Sequence, residues 1–281
     1  MLGAGTGQAV PVPGPKKRKK ALACEGYSLW YEDRAMIEKI KDERQLVPWQ
    51  EDPIGCRLCS TASAYGVEEL FAQFWLQNED TLLGKIDDAL VLCPGSHADW
   101  EELAGFLPFL GAGALLCPGG TAARLSLPAV RQGWVMTCQN KGGAETPSAE
   151  WNPSLREMYA LLAQCETETF QAPEFEAFYL DMSHRTRHGA AVSAGLRLEG
   201  RLAAAAICAA KTEGLAVISG VAVLPEFRRQ GLGRAVVQAL AAKLPQPVLC
   251  VFRAEGENRR FYEGLGFQDK HPFEEASLTG R

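Results

Sequence analysis

The sequence predicts an α/β (α+β) chain: a mixed, mostly antiparallel sheet flanked by helices, preceded by a second α/β domain. Three observations carry this. Val192, Ala194, Leu196 and Leu198 alternate with Ser193, Gly195, Arg197 and Glu199, the period-two pattern of a half-buried strand. Leu215 to Leu224 is nearly all apolar, as a strand covered on both faces must be. Leu232, Ala235, Val236, Ala239 and Leu240 then recur at helical spacing, and Val248 to Phe252 returns to an apolar strand.

Taken in order, residues 1–20 are rich in Gly and Pro and end in the run Lys16 to Lys20, which predicts a disordered basic tail. Residues 31–46 read as an amphipathic helix, broken by Pro48 and Pro53. A short helix is expected from Val67 to Phe74. The segment Thr81 to Cys93 is two apolar runs around Asp87 and Asp88, a hairpin. Ala98 to Leu110 reads as a helix strained at Pro108, Gly113 to Cys117 as a buried strand, and Gly133 to Cys138 as a further strand. Gly142 to Pro153, enriched in Gly, Pro, Ser and Glu, is the candidate linker. It divides an N-terminal domain, residues 21–150, from a C-terminal domain, residues 151–281. The second half then reads as helix (Leu155 to Cys165), helix (Pro173 to His184), three antiparallel strands, helix, strand, and a short helix (Arg259 to Leu265) closed by Gly266. Gly220 inside an apolar strand marks a bulge or a close backbone approach.

Bulk properties bound the function. With 281 residues, 47% of them apolar and 22% charged, burying a core is no obstacle. A net charge of -5 and a pI near 5.6 disfavour a whole-protein nucleic-acid binder. No apolar run reaches the length of a membrane span, and the N-terminal segment lacks the order of a secretory signal, so a cytoplasmic monomer or homodimer is expected. The nine cysteines are scattered and most are expected to stay reduced. Cys56-x-x-Cys59 and His184-x3-His188 have ligand-like spacings but stand far apart, with no second CxxC, and no metal is expected.

The chemistry centres on Val221 to Arg234, VAVLPEFRRQGLGR. A strand leads through a proline into Arg228-x-x-Gly231-x-Gly233, which opens a helix. Free amides at a helix start carry partial positive charge and accept an anion, and glycines let it approach the backbone. No Gly-Lys-Ser/Thr follows Gly233, which excludes a P-loop, and the antiparallel strands before it disfavour a Rossmann unit.

Joined to ENRRFYEGLGF, residues 257–267, this segment resembles the GCN5-related N-acetyltransferases (GNAT) over roughly residues 155–270. The resemblance implies a GNAT-like sheet and acetyl-CoA as co-substrate. The amides of Arg229, Gln230, Gly231, Leu232, Gly233 and Arg234 would bind its pyrophosphate, with Arg228 and Arg229 adding charge. Val221, Ala222 and Val223 would pair with the pantetheine arm, the Val223 amide facing the thioester carbonyl. Tyr262 would be the general acid and Asn258 a cofactor contact. The resemblance makes Gly220 the bulge that splays the strand from Val248 to Phe252. The position seven before the tyrosine, often Asn in relatives, is Glu255 here.

Many relatives place a glutamate base on the strand before the loop, yet Leu215 to Leu224 offers only Ser219 as a polar side chain. His184 and His188, where the family builds its acceptor site, are the candidates. The reaction expected is direct attack of a primary amine on the thioester in a ternary complex. The missing glutamate leaves a non-catalytic acyl-CoA sensor as the alternative, and Lys16 to Lys20 a nucleic-acid-associated role. The N-terminal hairpin–helix–strand order after residue 72 faintly echoes the C-terminal domain and allows a degenerate, cofactor-free copy.

Overall fold

The computed structural model describes residues 37–142 and 149–279. The predicted basic tail, Met36 and most of the predicted linker's centre lie outside those residues. The strands are β1 (Ile37–Lys39), β2 (Ala72–Gln77), β3 (Thr81–Ile86), β4 (Ala89–Cys93), β5 (Ala114–Pro118), β6 (Ala129–Gln139), β7 (Ala149–Trp151), β8 (Val192–Leu198), β9 (Arg201–Lys211), β10 (Leu215–Val223), β11 (Val248–Ala254) and β12 (Gln268–Ser277). The helices are α1 (Gly55–Tyr65), α2 (Trp100–Phe106), α3 (Thr121–Arg124), α4 (Leu155–Gln164), α5 (Phe175–Arg187), α6 (Leu232–Lys243) and α7 (Arg259–Glu263).

All strands join one sheet in the order β1-β2-β3-β4-β5-β12-β6-β11-β10-β9-β8-β7. That order reads the same from both ends once the two halves of the chain are matched. The run β2-β3-β4-α2-β5-α3-β6 repeats as β8-β9-β10-α6-β11-α7-β12. Each half contains one parallel pair, β4 with β5 and β10 with β11, and the remaining pairs are antiparallel. The last strand of each half crosses over. β6 pairs with β11 from Val248↔Gln139 to Ala254↔Gly133, and β12 pairs with β5 from Phe273↔Pro118 to Ser277↔Ala114. β6 and β12 then pair with each other, closing the sheet at its centre.

Gly133 sits at this crossing. A Cβ there would collide with the Arg253 carbonyl oxygen and lie 2.6 Å from the Phe273 ring, so only glycine lets the ring lie against the strand. Side chains alternate between two faces. Met136, Ala204, Ala216, Ile218, Val251 and Phe267 pack under α6, while Phe74, Val91, Val135, Val217, Cys250 and Phe273 pack under α1. Met158, Leu161, Phe178 and Met182 of α4 and α5 cover Ala203, Ala205 and Ile207 of β9.

Several expectations need correction. Of residues 31–46, the described part is not an α-helix. Ile37–Lys39 is extended because it pairs with Gln77 to Trp75, and Asp42 caps a 3-10 turn over Glu43–Trp49 that contains Pro48. Residues 67–71 are loop and 72–74 begin β2, whose Ala72 and Phe74 are fully buried. The apolar residues there follow period two, not 3.6. Part of the predicted linker, Ala149–Trp151, is an edge strand on β8. The Cys56-Cys59 segment is a helix, α1, made of small residues without an obvious stripe. Both thiols are buried, Cys56 donating to Leu215 O and Cys59 to Leu46 O, and burial pushes each up to about 12. They are core residues, and the eight described cysteines are all free. Thiol labelling of the native protein at pH 8 is expected to leave Cys56 and Cys59 unmodified while denatured protein reacts fully; rapid native labelling of either would contradict this burial. Among the described residues no helix is long and apolar enough to cross a membrane.

Candidate active site

β10 and β11 run parallel only from Leu215↔Val248 to Ile218↔Val251. Beyond that point they separate, and the cause is local. The β10–β9 register shifts between Ser219↔Ile207 and Ala222↔Ala205, which places one extra residue in β10. Gly220 sits in that bulge at φ +55, a conformation that β-branched neighbours could not adopt. The result is a slot between the mutually unpaired strand ends Val221–Val223 and Phe252–Ala254.

Main-chain groups line this slot. Leu224 N–H donates to Ala203 O, a hydrogen-bonded pair in the β10–β9 ladder. Alternation along an antiparallel ladder therefore turns the N–H and C=O of Val223 the other way, toward β11. The Val223 carbonyl is held by Arg228 Nε at 3.1 Å and by the Cys165 thiol at 3.3 Å. By the same alternation its amide faces the slot.

After a 3-10 turn at Pro225–Phe227, the chain bends through Arg229 (φ 64) and Gly231 (φ 82) into α6. Gly231 is the N-cap and supplies no side-chain cap. The first amide of this region with an intrahelical acceptor is Ala235, bonded to Gly231 O. The amides of Arg229 through Arg234 have none among the described residues, which fits an anion cradle. Arg228, Arg229 and Arg234 are exposed around it. Arg234 extends over the end of α7, where a Cβ on Gly264 would meet its Nη2 at 2.9 Å. Gly233 faces inward, 3.3 Å from the Phe261 ring and 3.5 Å from Val223 Cγ2 as measured from a built Cβ.

Tyr262 packs with Phe261 and Phe267 on the α6 face. Its hydroxyl has no hydrogen bond among the described residues, and burial pushes its pKa up to about 12. The phenol is thus kept protonated and undiverted. Asn258 caps α7 in the left-handed region at φ 53, exposed, with no side-chain bond. Glu255 accepts from Trp134 Nε1 at 2.7 Å, a link from β6 to the β11–α7 loop. Thr169 of the α4–α5 connection donates to Glu257 at 2.6 Å, so that connection reaches the same loop. The Cys165, Trp134 and Thr169 contacts were missed in the sequence, because each partner is distant along the chain and none belongs to a motif.

His184 and His188 lie elsewhere, on the seam between α1 and α5. His184 Nε2 faces the Ala64 carbonyl at 2.8 Å and must donate to it, and its ring stacks between Tyr65 and His188. His188 Nδ1 faces the His184 carbonyl at 2.9 Å. Among the described residues, the hydrogen bonds and ring contacts of both histidines stay on this seam and reach neither Val223 nor Tyr262. The structure brings together Val221–Val223, residues 228–234 and Phe261–Tyr262, and leaves the two histidines outside that group.

The N-terminal half has the same elements without the site. β4 pairs with β3 from Leu82↔Cys93 to Ile86↔Ala89 with no register shift, so no bulge opens it. At the start of α2 the Asp99 carboxylate accepts from the Glu101 and Glu102 amides, filling the place of an anion with the chain's own charge. A cavity of about 460 Å3 at the far end of α6, lined by Thr137, Val237, Ala241 and Phe267, has a counterpart of about 410 Å3 in the N-terminal half, lined by Ala104, Leu107, Leu125 and Leu278. Occurring in both halves, these cavities are products of the repeated packing, distinct from the slot.

Residues 155–267 match the family model described as Acetyltransferase (GNAT) family. Residues 155–267, in the C-terminal half, are a GNAT domain. No curated protein matches the chain. A putative GNAT acetyltransferase from Novosphingobium aromaticivorans is similar in fold, with a TM-score of 0.55 at 20% identity, covering 81% of this chain and 96% of that one. A Drosophila protein gives 0.61 at 14% identity over 87% and 99% of the two chains. A tandem GNAT protein from the clavulanic acid biosynthesis pathway gives 0.53 at 12% identity over 88% and 99%. The GNAT-like fold thus extends over most of the chain, beyond the matched residues, and the family and fold are those of acyltransferases that draw on acyl-CoA.

Proposed function

We propose that this protein is an N-acetyltransferase that passes an acetyl group from acetyl-CoA to a primary amine in a ternary complex. The observation that supports it best is the conjunction of a split β10–β11 pair with an uncapped α6 start. Residues 151–281 carry the chemistry, and residues 21–150 form a degenerate partner half. The amides of Arg229 through Arg234 hold the pyrophosphate, and Val221 to Val223 present main chain to the pantetheine arm. Acetyl-CoA supplies an activated acyl carbon. As the amine nitrogen bonds to that carbon, the Val223 N–H stabilises the developing oxyanion; a fixed donor of this kind contributes about 3 kcal/mol. The carbon–sulfur bond breaks, and the Tyr262 hydroxyl donates its proton to the departing thiolate. The amine's surplus proton leaves on the α1 face, where the exposed Ser219 is the polar side chain of β10 and water has access.

Calorimetric titration with acetyl-CoA is expected to give one site per chain, because α6 starts uncapped while its counterpart α2 is capped by Asp99. Absence of heat at millimolar acetyl-CoA would sink the proposal, and binding without turnover of any amine would favour a sensor. The raised Tyr262 pKa also fixes a pH response. Its proton is lost only as pH rises toward about 12, so kcat should show no alkaline fall below about pH 10 from this group.

A further inference from the structure

The α1 face of the slot holds a cation that the cofactor chemistry does not use. Arg57 projects from the first turn of α1, and its guanidinium carbon stands 5.7 Å from the centre of the Phe252 ring. Phe252 is the first residue of β11 past the last parallel pair, Ile218↔Val251, so it marks the point where the slot opens. Its ring continues into that of Phe273, 5.3 Å away, which in turn lies under Arg131. These two rings make an apolar floor on the face opposite α6.

Two guanidinium groups rim that floor, and they differ. Arg131 is committed, with Nη1 on Glu275 at 2.9 Å. The Arg57 side chain makes no hydrogen bond and no ion pair among the described residues. It is exposed by area, yet lost hydration holds its pKa below the usual arginine value, with Glu275 opposing and Arg185 adding to the depression. The guanidinium is thus open to solvent on one side and lies against the Phe252 ring on the other. Nearby Arg185 is buried and already engaged by Asp181 and Thr61. An unengaged planar fork of donors beside an aromatic floor fits a carboxylate, which it can grip through two parallel bonds.

We propose that the acceptor is an amino-acid-like molecule whose carboxylate is bound by Arg57 at the α1-side mouth of the slot, with its amine directed toward the thioester. This rests on the acetyltransferase reading given above. It narrows the acceptor from any primary amine to one carrying an anion. Polyamines are disfavoured there by repulsion from the same guanidinium.

The test uses the full chain and five probes with acetyl-CoA: glycine, leucine, their two amides, and spermidine. The amino acids are expected to exceed their amides in kcat/KM by about tenfold or more, since a charge-assisted bond is worth about 1.5–3 kcal/mol. Arg57→Gln should raise KM for the amino acids about tenfold to a hundredfold, leave kcat nearly unchanged, and leave the amides unaffected. Arg57→Lys should recover part of the loss. Titrating leucine into the protein saturated with CoA supplies a readout apart from turnover, and its heat should vanish in Arg57→Gln. Equal use of acids and amides, preference for spermidine, or an unchanged amino-acid KM in Arg57→Gln overturns this inference while leaving acetyl transfer intact. Failure of acetyl-CoA itself to bind removes the reading beneath it, and the inference with it.

Discussion

Tyr262→Phe is expected to lower kcat by about a hundredfold or more while the acetyl-CoA dissociation constant changes less than about twofold. Proton transfer from a positioned side chain contributes roughly 10²–10⁴ to rate. The ring of Tyr262 fills the apolar space between Phe261 and Phe267, which phenylalanine fills equally well, and the hydroxyl has no structural bond to lose among the described residues. The substitution therefore removes the proton and little else. Steady-state kinetics with calorimetry on the same preparation decide the matter. Equal kcat in the two forms takes Tyr262 out of the acid role; a parallel loss of cofactor binding makes it a packing residue of the slot.

Phe273→Ala should cost about 3–5 kcal/mol of stability, the range for deleting a buried aromatic side chain. Phe273 is 1% exposed, touches the Phe252 ring, and sits on β12 opposite both Pro118 of the N-terminal half and Gly133 of β6. The effect should reach both halves at once. Urea unfolding followed by tryptophan fluorescence, which includes Trp75 and Trp100 from one half, and by loss of acetyl-CoA binding in the other, should give one shared midpoint shifted downward. Two separate midpoints would show that β6 and β12 do not couple the halves.

The sequence made the C-terminal half readable because its patterns are local. The alternation at Val192–Leu198, the apolar run of β10, the glycine at 220 and the uncapped loop at 228–234 each report on their own neighbourhood, and the structure places a strand, a bulge and a helix start there. The N-terminal half was harder. α1 is built largely from Cys, Ser, Thr and Ala, residues that show a helical stripe only once Cys56, Cys59 and Ala62 are known to be buried. β12 carries Gln268, Asp269, Lys270 and His271 and buries few side chains, Phe273 and Ala276 among them, so its strand character comes from two neighbours instead of from its own pattern. The histidines were attractive by residue type alone; their place on the α1–α5 seam depends on Tyr65 and Ala64, more than a hundred positions earlier. Arg57 gave no signal at all, because an arginine within a CxxC is an ordinary sight and the aromatic floor beside it exists only after Phe252 and Phe273 meet.

The crossing of β6 and β12 also governs how the protein is made. The Cys117 thiol of β5 donates to the carbonyl of Glu274, 157 positions downstream. At the usual pace of synthesis, about 5–20 residues per second, the ribosome needs roughly 8–30 s to produce that neighbour. Throughout this interval β5 is an open sheet edge with hydrophobic Leu115 and Leu116 upon it, a template for pairing with other nascent chains. The N-terminal half, made first, is finished last. Any premature stop before residue 268 leaves its edge bare, so truncated products of this gene should be found in inclusion bodies or bound to chaperones, even though the half they contain was translated in full.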